Sequence, residues 1–274
     1  MVTYGRPVGL VMDTLCPDFG ELMGRAGWRT RLRNHLSNRV ILWRQDAGWL
    51  GTRLRRRLSR HRSRFREPTS GFTHLAGAGL SFIALIALVV LTWGDLPRLM
   101  TVVVFGITAV ILFSASAALH LSYGSPRIMN RLNRLDRVSI FIMIAGSYTP
   151  MCYAFLEGST RWLMLVVVWI IAIGGSVHVL LRYRRGISNS LPMTLTYIAM
   201  GALGLLIAPQ AMLPTGALLL ILAGGAIYLV GSVIYSLDQP NIHKHFNAHD
   251  LWHIFVLAGS VLFFAMVFAY VAPA

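Results

Sequence analysis

Seven runs of roughly 20 apolar residues, each near the length that crosses a bilayer as a helix, occupy the chain from residue 74 onward. They cover 74–93, 99–119, 138–156, 162–181, 191–208, 215–237 and 251–271, and none contains Lys, Arg, Asp or Glu. Apolar stretches of that length leave two options, burial in a very large core or exposure to lipid. A chain of 274 residues with 55% hydrophobic and 13% charged side chains has too little polar surface to enclose all seven in water. The expectation is an all-α, polytopic membrane protein, a bundle of seven transmembrane helices joined by short connections.

The basic residues give the expected orientation. The connection after the second run carries Arg127, Arg131, Arg134 and Arg137, and the one after the fourth begins with Arg182, Arg184 and Arg185. The connection after the sixth run holds Lys244, whereas the remaining ones hold only Arg98 and Arg161. With the basic N-terminal segment, these place the N-terminus in the cytoplasm and the C-terminus outside.

Residues 1–73 hold 15 of the 25 Lys and Arg residues against 5 acids. Leu32, Leu36, Val40 and Trp43 recur at helical spacing among the arginines, as do Leu50, Leu54 and Leu58, with Gly48 and Gly51 as interruptions. The segment 1–66 therefore reads either as interfacial helix on anionic headgroups or as a partly disordered basic tail. No aromatic interleaving marks a nucleic-acid site, and none is expected. No short apolar core follows a basic N-terminus, so no cleaved signal peptide is expected either. Cys16 and Cys152 make no disulfide framework.

Chemistry enters at the ends of the runs. In Asn247-Ala-His249-Asp250-Leu-Trp252-His253 two histidines stand four residues apart, which on a helix puts both imidazoles on one face. Ser116 and His120 repeat that spacing at the end of the second run, and Asp136 lies just before the third. The expected topology carries all five to the cytoplasmic layer, a place where each polar group is expensive to bury. Three histidines are a shell that leaves a fourth zinc position open, and zinc in such a site acidifies water and polarises a carbonyl. The candidate metal ligands are His120, His249 and His253. Asp136 and Ser116 are the candidate catalytic residues, as proton acceptor, ligand-orienting group or oxyanion donor. His74 and His178 reach the same boundary without a partner at i+4, and His243 and His245 are weaker candidates still.

Ser116-Ala-Ala-Leu-His120, Asp136 followed by Ile140-Phe141-Ile142-Met143-Ile144-Ala145-Gly146-Ser147-Tyr148-Thr149-Pro150, and His249-Asp-Leu-Trp-His253 resemble, in this order, the haemolysin III family. That family is the bacterial branch of the progestin and adiponectin receptor superfamily, and the resemblance covers residues 67–274. Glu67 and His74 match its first motif, but Ser70 stands where asparagine is usual. The resemblance implies zinc on His120, His249 and His253 beside Ser116 and Asp136, and kinship with membrane hydrolases such as alkaline ceramidases. Three functions follow as expectations. The first is a zinc-dependent hydrolase of a lipid amide or ester. The second is a lipid or membrane-state receptor with structural zinc. A pore-forming cytolysin ranks last, because no charged face lines a conduit.

Overall fold

A computed structural model describes residues 65–184, 191–207, 213–240, 242 and 246–273. The proposed extension 1–66 lies, but for its last two residues, outside the described residues, as do His243 and His245. Among the described residues there are seven α-helices and no strand. They are α1 Pro68–Leu91, α2 Leu96–Leu121, α3 Pro126–Phe155, α4 Gly158–Arg184, α5 Leu191–Ile207, α6 Thr215–Leu237 and α7 Ala248–Tyr270. Six of them are long and apolar enough to cross a membrane. The fifth, α5, has 17 residues, which at ~1.5 Å per residue is ~26 Å.

Two helices begin well before their apolar runs, α1 at Pro68 and α3 at Pro126. At α1 Pro68 occupies the first turn, so Ser70 and His74 lie inside the helix. At α3 the Ser125 hydroxyl accepts the Ile128 N–H and Pro126 follows at the first helical position, a start signal independent of apolar content. Arg127, Arg131, Arg134 and Arg137 are therefore helical residues and not loop residues, and Asp136 sits within α3 and not before it.

Consecutive helices pack in pairs, α1 on α2, α2 on α3, α3 on α4 and α6 on α7, while α7 returns to α1. One core gathers Phe105, Leu112 and Phe113 of α2 with Val256, Met266 and Val267 of α7. A second gathers Phe141, Tyr148 and Cys152 of α3 with Met164 and Val168 of α4 and Met200 of α5. Ile83, Ile170 and Leu219 stand outward and exposed, as lipid-facing side chains do. Of the paired glycines in the apolar runs, one of each pair meets a neighbour. A Cβ at Gly77 would lie 2.7 Å from the Phe113 ring and one at Gly224 2.9 Å from Phe263, whereas Gly79 and Gly225 face open space.

Tyr148 makes an unusual join between α3 and α5. Its hydroxyl lies 3.1 Å from the Met200 carbonyl, donates to that of Gly201 at 2.8 Å and accepts the Gly204 N–H at 2.8 Å. A phenol from one helix thus stands in the i→i−4 ladder of another, between residues 200 and 204.

Candidate metal centre

The centre assembles at the end of the bundle where α1 and α7 begin and α2 finishes. Asn247 caps α7: its Oδ1 accepts the N–H groups of His249 at 2.9 Å and Asp250 at 3.1 Å. The Asp250 Oδ2 accepts the Asn247 N–H in return at 3.1 Å, closing a capping box. The first turn of α7 is thereby fixed in register, and His249 and His253 face the same way, their Nε2 atoms 3.1 Å apart. His120 comes from the last turn of α2, its ring centroid 4.6 Å from that of His253 and 5.1 Å from that of His249. One ring nitrogen from each of the three lies within 4.8 Å of the others.

The donor set suits a metal ion. Two nitrogens bound to one tetrahedral zinc at ~2.0–2.1 Å stand about 3.3 Å apart, close to the separation of the His249 and His253 Nε2 atoms. Two of the three far nitrogens meet a neighbouring side chain. His120 Nδ1–H donates to Glu67 Oε2, which leaves Nε2 bare. His253 Nδ1 lies 2.9 Å from His74 Nε2, which also stands 3.2 Å from the His253 carbonyl oxygen. His74 is buried against the Phe113 ring edge at 5.0 Å, and its Nδ1 has no partner. These three close histidines could hold a metal ion.

An outer layer holds the ligands. Glu67 grips His120 twice, through its carboxylate and through its N–H on the His120 carbonyl at 2.9 Å. Its carboxyl is held below the ordinary value, first by the His120 hydrogen bond and against the opposing effect of burial. The Ser70 hydroxyl, fully buried on α1, donates to Asp250 Oδ1 at 2.6 Å. Asp250 thus caps α7 with one oxygen and ties it to α1 with the other.

All five residues expected from sequence border one cavity of about 810 Å³, with Ser116 and Asp136 beside the histidines. Ser116 is buried. The walls further in are apolar, among them Ile140, Ile144, Ile198, Leu222, Val256 and Phe263. His178 is exposed on α4 and stands apart from the cluster. His74 joins the cluster not as a ligand but as the neighbour of one. Asp250 and Ser70 carry parts not foreseen, although Asn247-x-x-Asp250 is a capping-box pattern legible in the sequence.

The family described as Haemolysin-III related matches residues 62–264. The chain belongs to the haemolysin III family. It is 36% identical over 211 residues to Hemolysin-3 of Bacillus cereus, covering 76% of this chain and 92% of that one. It is 31% identical over 207 residues to the Hemolysin-3 homolog of Bacillus subtilis (strain 168), covering 74% and 93%. A more distant similarity, 27% over 135 residues, reaches the human Monocyte to macrophage differentiation factor, covering 49% of this chain and 53% of that one. As a haemolysin III protein, the chain is a multi-pass membrane protein with a three-histidine cluster able to hold a metal.

Proposed function

We propose that this haemolysin III protein is a zinc-dependent hydrolase of a lipid amide or ester, working inside the bilayer through residues 67–274. The observation that carries the reading is the convergence of three imidazoles at the polar end of an otherwise apolar cavity. That layout matches an acyl lipid, with its chain along the apolar walls and its scissile carbonyl beside the histidines. Zinc held there supplies an acidified water and a polarised carbonyl. Asp136 accepts the proton of the attacking water, and Ser116, on the lining of the same cavity, donates to the developing oxyanion. Water adds at the acyl carbon, the C–N or C–O bond breaks, and the proton passes to the departing amine or alcohol. A fatty acid and the free headgroup result.

In this reading the bundle crosses the bacterial inner membrane seven times, α5 included, with the N-terminus cytoplasmic, the C-terminus outside and the site at the cytoplasmic leaflet. Support comes from the arginines of 127–137, on the first turns of α3 that lead into Asp136. Elemental mass spectrometry of purified wild type should find about one zinc per chain, lost in His120→Ala and His253→Ala, and the zinc-replete protein should release fatty acid from a panel of acyl amides and esters. Wild type purified without chelator yet free of metal refutes the site. Metal-replete protein inert on the whole panel refutes the hydrolase.

A further inference from the structure

The polar end of the cavity holds more than the metal ligands. Arg66, Asn133 and Arg137 also line it, and both guanidinium groups lie within electrostatic range of the Asp136 carboxyl. Arg66 pairs with Glu67 through one terminal nitrogen, Nη2 to Oε1 at 3.0 Å. Its Nε is buried and has no hydrogen-bond partner. A guanidinium N–H withdrawn from water without an acceptor is costly, and an Arg66 side chain that turned to meet a ligand oxygen would recover that cost.

The charges point the same way. Glu67 is engaged by Arg66 and His120 together, and Asp136 is the second carboxylate beside the cavity. Asp250, capping α7 beside His249, is a third carboxylate at this end, so the two guanidinium groups leave one negative charge uncompensated. A divalent ion brings twice that, and the remaining positive charge stays unbalanced beside apolar walls, where an excess charge is poorly screened. A headgroup bearing an anion offsets it. A neutral hydroxyl headgroup does not.

We infer that the cavity selects an acyl lipid whose headgroup ends in an anion, such as a carboxylate, with Arg66 and Arg137 as the headgroup-binding residues. The inference deepens the hydrolase reading and rests on it for the placement of the scissile bond. The test separates the two. N-lauroylglycine and N-lauroylethanolamine share chain and amide and differ in headgroup charge. Each is titrated calorimetrically into metal-replete wild type in neutral detergent, and released lauric acid is assayed in parallel.

Wild type is expected to bind the glycine conjugate about 10- to 100-fold tighter than the ethanolamide, the range set by charge-assisted hydrogen bonds. In Arg66→Gln/Arg137→Gln the preference should shrink to within about threefold, with affinity for the ethanolamide retained. Equal binding of the two by wild type overturns the inference whether or not the variant folds. So does a preference that survives in a variant with full metal content. Equal turnover of both keeps the hydrolase and removes the selectivity, whereas selective binding without turnover of either keeps the headgroup site and removes the hydrolase for this pair.

Discussion

Ser70→Ala isolates what the α1–α7 tie does for the metal centre. The bond it removes is short and buried, from the Ser70 hydroxyl to Asp250 Oδ1 at 2.6 Å, with neither residue meaningfully exposed. A hydrogen bond to a charged acceptor contributes about 1.5–3 kcal/mol, and here water cannot replace the lost donor. Asp250 would keep its bond to the Asn247 N–H, so α7 should still start in the same place. What changes is how firmly its first two turns, carrying His249 and His253, are held against α1. Loss of a group supporting a metal ligand commonly weakens metal affinity by about 10- to 100-fold. Ser70→Ala should fall in the lower half of that range, since it acts through the helix and not on an imidazole. With roughly 2 kcal/mol lost, the melting temperature in detergent should drop by about 4–8 °C. The assay is competition for zinc against a chromophoric chelator, with thermal unfolding followed for apo and loaded protein. Ser70→Asn, which restores a donor and installs the residue usual in related chains, should recover most of both losses. An equal melting loss in apo and loaded protein with unchanged zinc affinity would show that the tie only braces the scaffold.

Other outcomes follow from packing and from the α3–α5 join. Gly77→Ala sets a methyl 2.7 Å from the buried Phe113 ring that backs His74 and should destabilise by about 1–3 kcal/mol, whereas Gly79→Ala meets nothing and should be neutral or gain up to ~1 kcal/mol; the pair is compared by melting temperature. Tyr148→Phe strips the hydroxyl from the α5 ladder and removes its part-buried bonds to the Gly204 N–H and the Gly201 carbonyl, at about 1–3 kcal/mol in all. Amide hydrogen exchange at Gly204 should accelerate while exchange in α2 stays unchanged.

The apolar runs carried most of the architecture. The run 215–237 coincides with α6, and the others fall within their helices or differ at the ends by a residue or a few. The exceptions are the starts of α1 and α3. Hydropathy is blind to a polar first turn, while the Ser125-Pro126 start signal speaks only to capping. Within the site, what could be read was what lies within one helical turn: Ser116 with His120, and His249 with His253. The supporting contacts were invisible because they join distant positions. Glu67 and His120 are 53 residues apart, and Ser70 and Asp250 180 apart. No local pattern states that α1 packs against both α2 and α7. That depends on small residues such as Gly71 and Gly77 letting the backbones approach, one at Leu121 and one at Phe113.

Those separations also set a timetable. Synthesis at about 5–20 residues per second puts roughly 10–40 s between the appearance of Ser70 and that of Asp250. Through that interval α1 and α2 already exist, and the Glu67–His120 pair can form as soon as both are made. Ser70 and His74 must wait, polar and facing a gap that only the last helix fills. A chain interrupted before α7 therefore displays an unfinished polar seam along α1, and quality-control proteases have a feature by which to tell it from a completed one.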